Sequence, residues 1–133
     1  MKIVFDTNVL IAAFISRGAC TELLEYCVRQ HDLATSEFIL KEFRNKLLTR
    51  FKISRREVAQ AVALLRTRML VVEPADLGER ICRDPDDDWV LATAVAAEGR
   101  CVVTGDKDLL IIRRFQDIEI VSPNQFWRFE AEG

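Results

Sequence analysis

Aspartates crowd the stretch 84–88, where Asp84, Asp86, Asp87 and Asp88 precede an alanine-rich apolar run. Such a cluster either stabilises the start of a helix or belongs to a cation site. Pro85 fits the first position of a helix, because its missing N–H would have no partner there. Asp84 is then predicted to cap that helix, and Asp86 and Asp87 favour the positive end of its dipole. Three of the four aspartates therefore have a structural role.

Asp88 is the member of this run that helix capping does not explain. It lies three, four and seven residues before Leu91, Ala92 and Val95, so it continues an apolar stripe that is predicted to face the core. A carboxylate there, on the first turn, is expected to point over the edge of a sheet. Asp87 is the alternative, since a shift of the helix phase by one residue would turn it inward instead.

Two further aspartates follow predicted strands, Asp6 after KIVF and Asp106 after CVVTG. In a parallel sheet covered by helices, strand C-termini and helix N-termini share one edge, so these carboxylates are expected to meet Asp88 there. Glu42 is predicted as the fourth member, because it flanks the apolar face of the helix after the second strand and has a long side chain. Glu37 is the alternative, although an acid at a helix start needs no special role.

Four carboxylates at one edge require a cation or protons. Two unit charges about 4 Å apart repel by about 4 kcal/mol at an effective dielectric constant near 20. Oxygen ligands without histidine or thiolate suit Mg²⁺ or Mn²⁺ and argue against Zn²⁺. The sequence therefore predicts a Mg²⁺ or Mn²⁺ site. Asn8, two residues after Asp6, is expected either to orient that carboxylate or to cap a helix.

The elements that must position these residues alternate between short apolar runs and helical patterns. Strands are predicted at 2–5, 32–35, 70–72, 101–104 and 119–121, and helices at 8–15, 20–29, 85–98 and 124–129, with Ser36 and Ser54 capping two more. Strands that alternate with helices indicate a parallel sheet covered on both faces. The predicted fold class is α/β, a three-layer α/β/α sandwich with a central parallel β-sheet, in one domain over residues 1–133.

Composition and local sequence exclude several classes of protein. Half of the 133 residues are hydrophobic and the four cysteines form no C-x-x-C pair, so buried free thiols in the cytoplasm are expected. The chain enters a strand pattern at once and its apolar runs are too short to span a membrane, which predicts a soluble protein. Its single histidine, His31, excludes a two-histidine ribonuclease and is expected to be exposed to solvent.

The net charge of −2 conceals a strong asymmetry. Residues 41–68 carry nine basic and two acidic side chains, whereas the remainder carries ten basic and nineteen acidic ones. This distribution suits a basic surface that holds a polyanion beside an acidic pocket that binds cations. A pair of well-solvated helices is the alternative. The residues expected to grip an RNA backbone are Arg50, Lys52, Arg55 and Arg56.

Four segments together resemble the PIN-domain family, especially the small VapC-like toxins of bacterial toxin–antitoxin pairs: FDTNVLIAAF, LKEFRNKLL, DPDDDWVLATAVA and VVTGDKDLL. The resemblance covers nearly the whole chain, and DTNVL and TGDKDL are its most specific parts. It implies a metal-dependent ribonuclease that acts on RNA, is usually a homodimer and is blocked by a cognate antitoxin protein. In that family the helices that carry the basic residues can instead meet the antitoxin.

The resemblance also assigns roles residue by residue. It implies an acidic quartet that holds the metal and performs catalysis, formed by Asp6, Glu42, Asp88 and Asp106. It matches Asn8 and Thr104 to polar residues that support the quartet, and Asp108 to a position that is frequently acidic. One ion held by Asp6 and Asp88 would activate a water for in-line attack on the phosphate, and the other two carboxylates would help to hold a second ion.

Other protein classes fit less well. A haloacid-dehalogenase-type phosphatase needs a second aspartate two positions after the first, where Asn8 stands. A response-regulator receiver needs a phospho-accepting aspartate at the end of a central strand, and LVVEPAD offers only Glu73 there. A non-catalytic PIN-fold module that binds RNA or protein is the remaining alternative, although a pure binder gains nothing from clustered carboxylates.

Overall fold

The computed structural model describes all residues 1–133 and shows an α/β fold with seven helices around one six-stranded sheet. The strands are β1 (Lys2–Phe5), β2 (Asp32–Thr35), β3 (Met69–Val71), β4 (Cys101–Val103), β5 (Arg114–Phe115) and β6 (Ile118–Val121). The helices are α1 (Thr7–Ile15), α2 (Ala19–Gln30), α3 (Glu37–Thr49), α4 (Arg55–Arg68), α5 (Pro85–Ala96), α6 (Lys107–Leu110) and α7 (Pro123–Glu132). None of these helices combines the length and the apolar character needed to cross a membrane.

The order of the strands is β3-β2-β1-β4-β6-β5, and every pair is parallel except β5 with β6. The chain moves outward from β1 through β2 to β3 and then returns to the centre at β4. Because β–α–β connections are right-handed, this reversal places α5 on the face opposite α1–α4. There α5 contacts β1, β2 and β4, which completes the three-layer α/β/α arrangement. Ligands of such sheets bind beyond the strand C-termini at the reversal point, here between β1 and β4.

Polar caps begin the helices, as the sequence predicts. The side chains of Ser36, Ser54 and Asp84 each accept a backbone N–H from the first turn of the helix that follows. Behind the caps, 33 buried apolar residues form one continuous core that packs the helices against the sheet. The strand ends and helix starts at the reversal point are therefore held rigidly by the core.

Two elements escape the sequence-based prediction. The strand β5 pairs with β6 across the two-residue turn Gln116–Asp117, in which Gln116 has a φ of 54°. Tight hairpins are usually marked by glycine or asparagine–glycine at the turn, and this one has neither. The helix α6 is a single turn, too short to give a periodic pattern. The central sheet is parallel as predicted, with one short antiparallel strand added at its edge.

Expectations about the cysteines and the histidine have different outcomes. All four thiols are free, as predicted. Cys27, Cys82 and Cys101 are also buried as predicted, whereas Cys20 is only partly buried. The expectation that His31 is exposed is wrong. Its Nε2 lies 2.6 Å from a carboxylate oxygen of Glu130, and the side chain is only 12% exposed, because α7 packs over the end of α2.

Candidate active site

Asp6 occupies the reversal point, where it ends β1 and caps α1. Its Oδ1 accepts the N–H of Thr7, and its Oδ2 accepts the hydroxyl of Thr104, both at 2.7 Å. Thr104 directly follows β4, so this second bond joins the two central strands. The pKa of Asp6 is raised, mainly because the carboxylate is buried. The hydrogen bonds from Thr104 and Thr7 lower this pKa, and the negative charges of Glu42 and Asp106 raise it further.

Glu42 reaches the same edge from α3. The Thr7 hydroxyl donates to its Oε1 at 2.5 Å, directly beside the backbone N–H that Asp6 accepts. Glu37, the alternative, accepts two hydrogen bonds from Arg66 on the surface instead. The structure therefore brings Glu42, and not Glu37, to Asp6.

The structure corrects the position predicted for Asp88. The carboxylate of Asp88 accepts backbone N–H groups from Ile81 at 3.2 Å and Cys82 at 2.6 Å. It thus holds the loop that precedes α5. The side chain that points inward from α5 is instead that of Asp87, which is the alternative if the helix is rotated by one residue.

Asp87 is only 6% exposed and continues the most deeply buried stripe of α5. It lies three, four and seven residues before Val90, Leu91 and Ala94, each no more than 1% exposed. Val95, which defined the stripe predicted for Asp88, is only partly buried. Because α5 is apolar on most of its circumference, its periodicity does not define a single inward face.

The environment of the Asp87 carboxylate favours the binding of a cation or a proton. Its Oδ2 is buried and has no hydrogen-bond partner. Burial, followed by the negative charges of Asp106, Asp6 and Asp84, raises its pKa to about 7. Oxygens of Asp87, Asp106 and Asp108 lie within 4.8 Å of one another. This all-oxygen donor set fits Mg²⁺ or Mn²⁺.

Asp106 connects this trio to the rest of the site. Its own N–H donates to the Thr104 hydroxyl at 3.0 Å, and its Oδ1 accepts the N–H of Asp108 at 2.8 Å, which starts α6. Thr104 therefore binds both Asp6 and the backbone of Asp106. The structure thus collects Asp6, Glu42, Asp87, Asp106 and Asp108 at the reversal point.

Asn8 takes a different position from the one the resemblance implies. It is exposed, and its Oδ1 accepts a hydrogen bond from Lys46 Nζ at 3.3 Å rather than contacting Asp6. Lys46 lies one turn after Glu42 on α3, which places a cation at the rim of the acidic cluster. The sequence-based choice of RNA-contacting residues omitted Lys46, although its spacing of four from Glu42 gave a usable signal.

The predicted RNA-contacting residues continue outward from Lys46. Arg50 lies four residues further, at the C-terminal cap of α3. Lys52 is in the connection to α4, and Arg55 and Arg56 are in the first turn of α4. All four are exposed and none forms an ion pair. Their charges are therefore available to an anion that approaches along this face.

Comparison with known proteins identifies the fold. Residues 2–108, a range that includes every carboxylate of the cluster, match the PIN domain. The chain belongs to the PIN-domain family. An uncharacterized protein of Methanocaldococcus jannaschii shares 28% identity with this PIN domain over 119 residues, 85% of the chain and 76% of that protein.

Solved structures share the PIN fold at low sequence identity. VapBC2 from Rickettsia felis matches with a TM-score of 0.65 and 14% identity, covering 92% of this chain and 98% of the other. VapBC-1 from nontypeable Haemophilus influenzae matches with a TM-score of 0.65 and 19% identity, covering 93% of this chain and 99% of the other. VapC20 of Mycobacterium tuberculosis is described as a toxin that cleaves the sarcin–ricin loop. It matches with a TM-score of 0.59 and 16% identity, covering 88% of this chain and 98% of the other. These likenesses show that the chain shares the PIN fold with these proteins.

The acidic cluster makes the stability of the metal-free PIN domain depend on pH. The pKa of Asp87 is about 7 in the folded chain, against an ordinary value of 3.8. Between about pH 4 and pH 7 the folded protein keeps a proton that the unfolded chain has lost, so stability falls as the pH rises through this window. In EDTA, the melting temperature is expected to fall by several degrees from pH 5 to pH 8. The Asp87→Asn variant should show a smaller fall, and parallel curves for the two proteins would contradict this assignment.

Proposed function

We propose that this PIN domain is a divalent-metal-dependent ribonuclease that hydrolyses phosphodiester bonds. The residues proposed for the centre are Asp6, Glu42, Asp87 and Asp106, with Asp108 at the rim. The observation that supports this most directly is the buried, unpartnered Oδ2 of Asp87 among other carboxylates. A purely structural cluster would satisfy that oxygen with a donor from the protein, because an unpaired buried polar atom is costly.

The residues of the chain have separate tasks in this proposal. Asp6, oriented by Thr104, and Asp87 would hold Mg²⁺ or Mn²⁺, and Asp106 and Glu42 would complete the ligand set. When bound, the ion neutralises phosphate charge and lowers the pKa of a water molecule. Glu42 Oε1 is occupied by the Thr7 hydroxyl, which leaves Oε2 to contribute to this ligand set.

The basic residues position the substrate. Lys46 lies beside Asn8 at the rim, where its ammonium group would bind a phosphate oxygen of RNA next to the cleaved bond. Arg50 then continues the positive charge by one helical turn. The strand of RNA would therefore run from the acidic cluster along α3 toward the start of α4.

Cleavage of single-stranded RNA by the purified protein tests the proposal. We expect products only with Mg²⁺ or Mn²⁺ and none when EDTA is present. The Asp87→Asn protein purified in parallel controls for a contaminating nuclease. A protein that binds RNA but yields no products with either ion would favour the non-catalytic PIN module instead.

Charge reversal tests the proposed grip on RNA. Replacing Arg50, Lys52, Arg55 and Arg56 with glutamate should weaken binding to RNA of any sequence. It should also flatten the log–log dependence of affinity on salt by about 0.7 for each phosphate that the variant no longer binds. A control with the same change in net charge replaces Arg29, Arg100, Arg113 and Arg128. Binding measured by fluorescence anisotropy between 50 and 300 mM salt would contradict the proposal if both variants had the wild-type slope.

We also propose a biological role as the toxin of a toxin–antitoxin pair, with a cognate antitoxin as partner and a homodimer as the assembly. The support is the similarity of fold to the VapBC proteins. Expression of the chain alone should arrest bacterial growth, and co-expression of the adjacent gene should relieve the arrest. Growth arrest that persists in the Asp87→Asn variant would separate toxicity from cleavage. Light scattering of the purified chain tests the dimer.

A further inference from the structure

A cavity of about 450 Å³ lies between the beginning of α5 and residues 74–79. Its size falls within the range of about 300–1,000 Å³ that is typical of small-molecule sites. Trp89, which lines it, stacks on Phe38, and Phe38 lies one helical turn before Glu42 on the same face of α3. A group stacked on Trp89 would therefore lie near the Glu42 side of the acidic cluster, and the proposed catalytic roles leave the cavity unused.

Trp89 is held in a fixed orientation although it is 46% exposed. Its ring stacks on Phe38 with the centroids 5.4 Å apart and the planes inclined by 19°. The start of α3 is joined to the third turn of α5, where the Thr93 hydroxyl donates to the hydroxyl of Ser36 at 2.9 Å. The indole is thus a preformed aromatic platform, and a ligand that stacks on it would lose little conformational entropy.

The opposite wall of the cavity is also preformed. The N–H of Ala75 donates to the carbonyl of Ala92 at 3.0 Å, which attaches the loop to α5. Within the loop, Asp76 Oδ1 accepts the N–H of Gly78 at 2.8 Å, and Gly78 adopts a left-handed φ of 78°. Asp88 holds the end of the same loop through Ile81 and Cys82. These bonds explain why Asp88 faces the loop.

The lining of the cavity combines apolar surface with carboxylates. Pro74, Leu77 and Ala92 supply apolar surface beside Trp89, and the carboxylates belong to Asp76, Glu79 and Asp88, with no basic residue. Of the carboxylates, that of Glu79 is exposed and forms neither a hydrogen bond with another residue nor an ion pair. A phosphate would be repelled here, whereas a neutral planar ring that carries an amino group would find stacking and a hydrogen-bond acceptor.

We infer that this cavity binds one unpaired base of the RNA, stacked on Trp89 beside the cleaved bond, and that Glu79 selects a base with an exocyclic amino group. Bases stack on exposed aromatic side chains in many single-strand-binding proteins. Carboxylates accept hydrogen bonds from the cytosine amino group, whereas uracil has an oxygen acceptor, O4, at the corresponding position. Cytosine and adenine should therefore be favoured over uracil. The inference deepens the proposed ribonuclease function and rests on it.

Tryptophan fluorescence tests the inference without any catalytic step. In a protein that combines Asp87→Asn with Trp127→Phe, Trp89 is the only tryptophan. Hexanucleotides of cytidine or adenosine, added in EDTA, should quench its emission and bind more tightly than a uridine hexamer. By anisotropy of a labelled cytidine hexamer, Trp89→Ala should weaken binding by about 5- to 150-fold and Trp89→Phe by much less.

Glu79→Gln tests the selection of the base without disturbing the core, because residue 79 is exposed. The glutamine amide can donate to uracil, so the preference for cytidine over uridine should narrow. Glu73→Gln is the matched control, since Glu73 is exposed but does not line the cavity, and it should keep the wild-type preference.

Two outcomes would overturn the inference. One is equal affinity for all three hexamers together with a Trp89→Ala protein that binds as tightly as its parent. The other is quenching by a protein partner but not by RNA. If the Trp89 emission were quenched in a base-dependent way but the wild-type protein never cleaved RNA, the ribonuclease function would be rejected and the base-binding cavity would stand. If Trp89→Ala cleaved RNA of every sequence at the wild-type rate, the ribonuclease function would stand and the proposed base-binding role of the cavity would be rejected.

Discussion

Asp87→Asn is expected to lower RNA cleavage by at least about 100-fold, whereas Asp88→Asn should retain most of the activity. Removal of a side chain that merely supports a metal ligand costs about 10- to 100-fold, and removal of a ligand should cost more. Asp87 faces Asp106 and Asp6, whereas Asp88 binds the backbone of Ile81 and Cys82. The two neighbouring substitutions therefore remove the same charge from different environments.

Initial rates of cleavage at saturating Mn²⁺, with circular dichroism to verify folding, provide the measurement. Asp6→Asn should match Asp87→Asn, because Asp6 lies at the centre of the cluster. Asp84→Asn is the control for the aspartate run, since asparagine caps a helix about as well as aspartate. A large decrease in Asp88→Asn with little decrease in Asp87→Asn would show that the catalytic carboxylate is Asp88 and would reject the site described above.

Metal ions should reverse the order of stability of wild type and Asp87→Asn. In EDTA at pH 8 the variant should melt at the higher temperature, because it loses a buried charge that Asp106 and Asp6 repel. A divalent ion at about 100 times its Kd stabilises a folded protein by about 2.7 kcal/mol if it binds only that state. For wild type this corresponds to an increase of roughly 5–10 °C, and the variant should gain much less.

Differential scanning fluorimetry in EDTA, Mg²⁺ and Mn²⁺ provides this comparison, and Asp86→Asn is the control. Asp86 lies on the same helical turn but is exposed, so its substitution should preserve the response to the ions. A cluster that serves only to cap helices would lose stability when Asp87 is replaced and would ignore the ions. Wild-type melting that is indifferent to both ions at millimolar concentration would therefore contradict a metal centre.

Most of the architecture could be predicted from local patterns. Strands such as β1 and β4 are short, almost wholly apolar runs, and the capping residues Ser36, Ser54 and Asp84 mark helix starts. The edge strand β5 could not be predicted, because it has only two residues and its turn lacks glycine. This strand forms because its backbone hydrogen-bonds to β6, and that pairing is visible only in the tertiary structure.

The sequence by itself determined which edge of the sheet carries the acidic residues. Asp6 and Asp106 follow apolar strands, and parallel strands end at a common edge, so the meeting of these carboxylates follows from topology. Tertiary structure decided which of Asp87 and Asp88 joins them. The helix α5 buries Val90, Leu91, Ala92, Thr93 and Ala94 in succession. A helix that is apolar on most sides has no unique inward face in its sequence, so its rotation is set by packing against the sheet and by the bonds that hold Asp88 to the preceding loop.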